Sequence, residues 1–417
     1  MSVTAFATFR HFSRLPLVDG LPQGWRTWSP RAEVAPVFSV DSAVGRSGAG
    51  SLRIAGGGNP AMFGAWRARV SGVVGGRTYR LTAWYRSDGL AHPHHDATAR
   101  LEWLDAAGTQ LRLLDNALEE GHEGEWTRLS HTIDAPAGAA DVHIDLGLRW
   151  SAHGTVWWDD IELVETTVTA RPVRLATVHH RPKATASAAE SIDSFCAVID
   201  RHAPAGIDVL CLPEGATVVG TGKVYADVAE PVPGPTTQRL GSVAQRLRCH
   251  IVAGVYQRQG AVIYNTAVLI GRDGAIIGTY KKTHLPQNEA DAGLMPGDGY
   301  PVYATDVARL GMMICWDNQF PEPARALAMN GAEVLLLPIW GGNDILARAR
   351  AIENHVFLVA SSYDMRCIIV DPTGAILAEA TAEQPVAYAD VDLARAYHQP
   401  WMGNLATSIW KERRPDL

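Results

Sequence analysis

Three segments of the sequence place a chemically reactive side chain directly after a strand-like apolar run. Glu214 follows the run 209–212 and a proline. Lys282 is the second residue of a lysine pair that follows a hairpin-like turn, and Cys315 follows the run 310–314. Loops at the carboxyl ends of strands are where α/β proteins place functional groups. A carboxylate, an ammonium and a thiol in such loops suit covalent catalysis with a base, an oxyanion donor and a nucleophile.

Each of these residues also has an ordinary structural interpretation. Burial after an apolar strand raises a carboxyl pKa towards the range of a general base, but the position of Glu214 also suits a helix cap or a solvated turn. Cys315 precedes a predicted helix that begins near Pro321, where backbone N–H groups stabilise a thiolate or an oxyanion. A core cysteine fits the same pattern.

The rarity of lysine singles out the pair Lys281 and Lys282. Only five of the 37 basic residues are lysines, and residues 1–182 contain none. A compact ammonium can donate to an oxyanion in a confined site, where the planar guanidinium of arginine is bulkier. A functional ammonium and a solvated basic loop are therefore the two interpretations of this pair.

Taken together in this order, the Glu, Lys and Cys segments resemble the carbon–nitrogen hydrolase (nitrilase) superfamily. The resemblance covers nearly all of residues 173–417. Its matching segments are Val173–Val178, Leu212–Glu214, Tyr280–Pro286, Pro296–Gly297, Gly311–Pro323 with Arg325, Gly331–Val334 with Pro338, and Arg350–Asn354.

The resemblance implies an αββα sandwich and a Glu–Lys–Cys triad. In that triad Glu214 is the general base and Cys315 the nucleophile. Lys282 is the catalytic lysine, because the family places this residue two positions before the histidine of the motif. Lys281 then has a structural role.

The resemblance also implies further site residues. The family uses a second glutamate between the lysine loop and the Pro–Gly turn, for which Glu289 is the candidate, with Asp291 close by as the alternative. The N–H of Trp316 would share the oxyanion with the lysine, and His284 would help to position the oxyanion or the substrate. Trp340 is a candidate for either the pocket wall or the core.

The implied reaction is hydrolysis of a non-peptide C–N bond through a thioester on Cys315, with no metal or organic cofactor. The segments Cys315–Asp317 and Phe320–Glu322 are similar to the amidase and N-carbamoyl-amine hydrolase branches, so an amide or carbamoyl substrate is expected ahead of a nitrile. Two other interpretations compete. One is an acyltransferase that uses the same thioester, and the other is a carbohydrate-binding protein with a non-catalytic hydrolase-like half.

Residues 1–168 are predicted to form an all-β domain. Short runs of alternating polar and apolar residues, bounded by Gly, Pro and Asp, are typical of antiparallel strands in a sandwich or jelly roll. The run Gly154–Leu163 resembles the last strand of galactose-binding-like, carbohydrate-binding-module-like domains. Its tryptophans are expected mainly in the core, and exposed ones would stack on a glycan. Residues 92–96 are interpreted as a solvated loop ahead of a metal site, and Asp159 and Asp160 are considered as ligands of a structural calcium ion.

Residues 173–417 alternate strand-like and helix-like segments, which predicts an α/β domain with a buried sheet. The threonine-rich segment Thr166–Pro172 is the predicted boundary. The expected fold is thus an α/β nitrilase-like αββα sandwich preceded by an all-β jelly-roll sandwich. The tail Trp401–Leu417 resembles the family's C-terminal arm that crosses a dimer interface, so a homodimer or higher homo-oligomer is expected. Trp401 is a further pocket or core candidate.

Composition narrows the remaining classes of protein. Hydrophobic residues make up 47% of the 417 residues and the formal charge is −7, which predicts a packed core and argues against nucleic-acid binding. The sequence opens with no signal-peptide pattern, and no apolar run reaches the roughly 18–20 residues needed to span a bilayer. The five cysteines have no CxxC spacing, which predicts free thiols in a reducing cytoplasm and no zinc knuckle.

Overall fold

The computed structural model describes residues 5–399 and 403–413 of the chain. Its contacts divide the chain into one compact unit of Met1–Thr169 with Ala396–Leu417, and a second of Ala170–Arg395. Trp401, a candidate from the sequence, lies outside the described residues. In the portion that is described, no helix has both the length and the apolar character required to cross a bilayer.

The first unit is built mainly of strands, and a short helix, α1 (Pro93–Asp96), lies in the segment expected to be a loop. Side chains alternate between core and surface along Thr78–Asp88 and Trp126–Asp134, as the sequence pattern predicts. The strands are β1 (Ala5–Phe9), β2 (Leu17–Val18), β3 (Leu21–Pro22), β4 (Trp25–Trp28), β5 (Val37–Asp41), β6 (Ser51–Ala55), β7 (Phe63–Ser71), β8 (Thr78–Asp88), β9 (Ala97–Leu104), β10 (Asp115–Asn116), β11 (Leu118–Glu123), β12 (Trp126–Asp134), β13 (Asp141–Arg149) and β14 (Thr155–Thr166).

Two antiparallel sheets enclose the core of this unit. One has the order β11-β12-β8-β14-β6-β5, with β1 paired to β14, and the other has the order β10-β9-β13-β7-β4. The buried tryptophans Trp66, Trp103 and Trp158 come from both sheets and belong to one apolar cluster. The unit is therefore an all-β sandwich, as predicted.

The acidic pair of β14 binds arginine. Asp159 accepts a hydrogen bond from the backbone N–H of Arg46 at 2.7 Å, and Asp160 accepts one from the Arg46 guanidinium at 2.7 Å. The same guanidinium lies 3.7 Å from the ring centroid of Trp84. Arg46 thus supplies a positive charge to Asp159 and Asp160, the two residues that the sequence analysis considered as calcium ligands.

The second unit alternates strands and helices. Its strands are β15 (Pro172–Val178), β16 (Val209–Cys211), β17 (His250–Gln259), β18 (Val262–Ile270), β19 (Ile276–Lys281), β20 (Val302–Ala304), β21 (Arg309–Met312), β22 (Val334–Pro338), β23 (Phe357–Ser361), β24 (Cys367–Val370), β25 (Ile376–Ala380) and β26 (Val386–Asp392). Its helices are α2 (Ala188–His202), α3 (Tyr225–Val228), α4 (Pro235–Leu247), α5 (Gln287–Asp291), α6 (Pro321–Met329) and α7 (Asp344–Asn354).

Two sheets face each other in this unit, in the orders β19-β18-β17-β16-β15-β26 and β20-β21-β22-β23-β24-β25. Hydroxyl groups link them, because Thr177 Oγ1 donates to Ala360 O at 2.7 Å and Ser361 Oγ donates to Val178 O at 2.6 Å. Helices α2 and α4 pack on the first sheet, and α6 and α7 contact β21 and β23 of the second. The layers follow the αββα order expected from the family resemblance.

The C-terminal segment contains β27 (His398–Gln399), β28 (Gly403–Asn404) and α8 (Leu405–Glu412). The sequence analysis assigned this tail to the hydrolase domain as an arm, but the structure groups it with the β-sandwich. Arg149 at the end of β13 donates to Lys411 O at 2.8 Å, and the buried Lys411 ammonium donates to His94 O. These contacts hold α8 against the strands of the first unit.

Candidate active site

The second unit brings the predicted chemical groups to one cavity. Glu214 follows β16, Lys282 follows β19, and Cys315 follows β21. Because these strands belong to the two facing sheets, their carboxyl ends open onto shared space. The cavity has a volume of about 620 Å³, and its lining includes all three residues together with Glu289.

Lys282 is the centre of the charged cluster. Its ammonium Nζ lies 2.9 Å from Glu214 Oε1 and 2.9 Å from Glu289 Oε1, and the residue is 1% exposed. Burial by itself would lower the pKa of this lysine, but the negative charges of Glu214, the Cys315 thiolate form and Glu289 outweigh it and raise the pKa. Lys282 is therefore a fixed positive charge.

Asn265, which the sequence analysis did not select, joins the two carboxylates. Its Nδ2 donates to Glu214 Oε1 at 2.7 Å and to Glu289 Oε1 at 3.0 Å, and its backbone oxygen accepts from Lys282 N at 2.9 Å. The signal in the sequence was a single amide side chain within the apolar strand β18. A fully buried amide in a strand requires hydrogen-bond partners, and here these are the site carboxylates.

The remaining carboxylate oxygen of Glu214 is held by the backbone. Trp340 N donates to Glu214 Oε2 at 3.0 Å, and the buried Tyr363 hydroxyl donates to Glu214 O at 3.0 Å. The Trp340 ring packs edge-on against Tyr363, with 4.9 Å between ring centroids. Trp340 thus serves both of the roles considered from the sequence, because its ring lines the cavity and also packs against core residues.

Cys315 occupies a strained turn between β21 and α6. Its φ of 44° lies in the left-handed region, which is unfavourable for a residue with a side chain, and a 3-10 helix runs over Cys315–Gln319. Burial and the neighbouring Glu214 carboxylate raise the pKa of the Cys315 thiol, and Lys282 opposes this shift. The thiol is thus protonated at rest, and attack requires a base.

The buried carboxylate of Asp317 fixes this turn. It accepts hydrogen bonds from Ile314 N at 2.9 Å, from His284 N at 3.0 Å and from the Tyr280 hydroxyl at 2.8 Å. The His284 ring stacks on Phe320 and also contacts Asp317, and the hydrogen bond to Asp317 raises its pKa. His284 is not among the residues that line the described cavity, and its contacts with Asp317 and Phe320 order the turn.

The two acidic candidates, Glu289 and Asp291, lie in different surroundings, and so do the two lysines of the pair. Glu289 is buried and contacts the lysine, whereas Asp291 is exposed and accepts from Gln287 Nε2 at 2.7 Å. Burial raises the pKa of Glu289, and Lys282 partly offsets that effect. Lys281 points to the Tyr264 ring, 3.8 Å from its centroid, and so takes no part in the cluster.

Aromatic side chains form much of the remaining cavity wall. Trp316 lines the cavity and is 41% exposed. Tyr225 also lines it and stacks on Tyr256 with 4.6 Å between centroids, while Asn288 Nδ2 donates to the Tyr225 hydroxyl at 3.3 Å. Such walls suit the apolar body of a small organic molecule.

Asn265→Ala is expected to lower kcat by about tenfold or more, because the two carboxylates beside Lys282 lose a shared donor. Gln257→Ala is the matched control, since Gln257 is also a buried strand amide but bonds to Thr266. Both variants should unfold at lower temperature than the wild type. Equal losses of kcat would show that Asn265 acts only through stability.

Comparison with known proteins gives concordant matches for the second unit. Residues 174–400 match the family described as "Carbon-nitrogen hydrolase". The omega-amidase NIT2 of Homo sapiens is 27% identical over 235 residues, which are 49% of this chain and 84% of that protein. A probable nitrilase of Schizosaccharomyces pombe is 31% identical over 217 residues, 47% of this chain and 78% of that protein. Among solved structures, an amidase from Nesterenkonia sp. has 23% identity and a TM-score of 0.49, covering 60% of this chain and 96% of that one.

Proposed function

Since this chain belongs to the carbon–nitrogen hydrolase family, we propose that it hydrolyses a carboxamide or an N-carbamoyl amine through a thioester on Cys315. The family predicted from the motifs is thereby confirmed, and the chain is an enzyme that acts on C–N bonds. One observation carries the finer proposal: a protonated thiol, a carboxylate and an ammonium line a single cavity in which the ammonium bridges two carboxylates.

Acylation begins when the Glu214 carboxylate takes the thiol proton of Cys315. The sulfur forms a bond to the carbonyl carbon, and the carbonyl electron pair moves onto oxygen. Lys282 and the N–H of Trp316 donate to that oxyanion, where each donor is worth roughly 3–4 kcal/mol. The C–N bond then breaks, and Glu214 returns the proton to the departing nitrogen, which leaves as ammonia or an amine.

Deacylation follows the same steps with water as the nucleophile. Glu214 takes a proton from water, the hydroxyl oxygen bonds to the thioester carbon, and the C–S bond breaks. The thiolate recovers its proton from Glu214, and the carboxylic acid departs. Glu289 supports the first half, because its Oε2 is buried without a partner among the described residues and is suited to accept from the substrate N–H₂.

The names of the relatives favour an amide over a nitrile as the substrate. One relative is an omega-amidase, whereas another is a probable nitrilase of which a smaller share is covered. A nitrile hydrolase and an acyltransferase are the alternatives, since both use the same cysteine. An acyltransferase differs only in passing the thioester to an amine in place of water.

Incubation of the full chain with a panel of amides, N-carbamoyl amines and nitriles should leave an acyl adduct on Cys315, detectable by mass spectrometry of the peptides. A primary amide or a nitrile should release ammonia together with the free acid, whereas an N-carbamoyl amine should release the amine together with carbon dioxide and ammonia. With an amide, added hydroxylamine should divert the acid to a hydroxamate. An adduct on any other cysteine would contradict the mechanism. Hydroxamate or amide transfer products without free acid would favour the acyltransferase.

We also propose a reducing, cytoplasmic setting and a homodimer for this enzyme. All five cysteines are free, and a nucleophilic thiol must remain reduced.

For the β-sandwich we propose a galactose-binding-like jelly roll. A glycan would have to compete with arginine, because the guanidiniums of Arg53 and Arg86 lie 5.9 and 5.5 Å from the Trp157 ring centroid. Cell fractionation, sedimentation and a glycan array with the full chain test these points.

A further inference from the structure

Another cavity lies in the first unit, on the face of the sheet β10-β9-β13-β7-β4 that points away from the apolar core. Arg67 and Arg69 of β7 line this cavity, while Trp66 and Ala68, which alternate with them, belong to the core cluster. The alternation along β7 thus places the two arginines on the outer face. The cavity has a volume of about 570 Å³, which suits a small organic molecule.

The arginines that line this cavity differ in their partners. Arg67 binds the Asp145 carboxylate through two hydrogen bonds of 2.6 Å, and Arg69 pairs with Asp141. Arg26 of β4 also lines the cavity, but it forms no ion pair within the part of the chain that the structure describes. The guanidinium of Arg26 is therefore available to an anionic group in the cavity.

A neutral histidine holds Arg26 in place. Arg26 Nη2 lies 3.3 Å from His143 Nε2, and His143 Nδ1 lies 2.7 Å from Glu102 Oε2. Because an arginine side chain can only donate, His143 Nε2 is the acceptor, and the ring proton is on Nδ1 and is donated to Glu102. Strand β7 lies between the strands of Arg26 and His143, so the Arg26 side chain crosses over β7 along the floor of the cavity.

The hairpin of β2 and β3 forms another wall of the cavity. Val18, Leu21 and Pro22 of this hairpin supply apolar surface for the body of a ligand. Asp19, in the turn of the same hairpin, also lines the cavity and is exposed. Its negative charge disfavours a ligand with two or more negative charges, whereas Arg26 can neutralise a single one.

We propose that this cavity binds the carboxylate of a small monoanionic acid, with the carboxylate on Arg26 and the body of the acid against the hairpin. A guanidinium presents two parallel N–H groups that match the two oxygens of a carboxylate. Because His143 orders the guanidinium before the ligand arrives, binding costs little side-chain entropy. The site is within the β-sandwich and does not depend on the reaction at Cys315.

Calorimetric titration of the full chain with hexanoate and with glucuronate tests the site, with 1-hexanol and glucose as the uncharged counterparts. The wild type should bind at least one of the two acids about tenfold more tightly than its counterpart, and added salt should weaken that binding. Tighter binding of hexanoate would identify an aliphatic acid as the ligand, and tighter binding of glucuronate a sugar acid.

Three variants assign the binding to this cavity. Arg26→Met should weaken the binding of the acid by about tenfold or more. Its unfolding temperature should stay close to that of the wild type, because Arg26 is exposed and forms no ion pair. Arg31→Met is the matched control, since Arg31 is also an exposed arginine of the first unit but does not line the cavity. Asp19→Asn should tighten the binding, because it removes a repulsive charge.

Several results would overturn the inference. Equal affinity for the acids and their uncharged counterparts contradicts it, as does an acid that binds Arg26→Met as tightly as the wild type, since that acid binds elsewhere. An equal loss in Arg31→Met would show that net charge alone is responsible. Tighter binding of inorganic phosphate than of either acid, or no gain in Asp19→Asn, would contradict the preference for a monoanion.

Discussion

Lys282→Arg is expected to lower kcat by about 10³-fold, even though the positive charge is retained. The ammonium is 1% exposed and lies 2.9 Å from both Glu214 and Glu289. A guanidinium is larger and planar, so it displaces one carboxylate and no longer donates to the oxyanion at the same point. Steady-state kinetics with the best amide of the panel measure this effect.

Two companion variants separate charge from geometry. Lys281→Arg should retain wild-type kcat, because Lys281 lies over Tyr264 and outside the cluster. Lys282→Ala should lose kcat and also about 3–5 kcal/mol of unfolding free energy, since it leaves two buried carboxylates facing each other. Wild-type turnover by Lys282→Arg would show that a diffuse positive charge suffices and that the assigned donor role is wrong.

Glu214→Gln is expected to lower kcat by about 10³-fold, because the general base is lost. The same substitution is expected to lower the pKa of the Cys315 thiol. Burial is the largest cause of the raised pKa of this thiol. The charge and hydrogen bond of Glu214 raise the pKa further, while Lys282 lowers it. Removing the carboxylate charge therefore lowers the pKa of the thiol. The variant should form thiolate at lower pH than the wild type and still fail to turn over.

The ultraviolet absorbance of the thiolate during a pH titration measures this shift. A Cys315→Ala variant supplies the baseline, because subtracting its titration removes the signal of the other four cysteines, whose pKa values burial also raises. A thiol pKa that rises or stays constant in Glu214→Gln would contradict the electrostatic role of the carboxylate. Retained turnover would exclude Glu214 as the base.

Much of the second unit followed from local sequence. Apolar runs of strand length alternated with helical periodicity, and they predicted the strands that end before Glu214 and Cys315 because side-chain periodicity depends on neighbouring residues. Which lysine belongs to the site was implied by the family resemblance of the Lys–Lys–Thr–His segment. The all-β character of the first unit followed from period-two alternation in the same way.

Long-range contacts decided the rest. Asn265 is 51 residues from Glu214 in sequence, and only the pairing of β17 with β18 and of β18 with β19 brings its amide to both carboxylates. The choice of Glu289 over Asp291 depends on which side of α5 faces the buried lysine. His284 had the expected position in its motif, yet its ring faces Asp317 and not the cavity.

The sequence by itself determined the chemical inventory: one carboxylate, one ammonium and one thiol, each at the end of a strand. The tertiary structure decided what neutralises, orients and confines them. The physical reason is that strand and helix patterns arise between residues a few positions apart. Burial, pKa and hydrogen-bond partnership arise between residues that meet only when separate sheets pack.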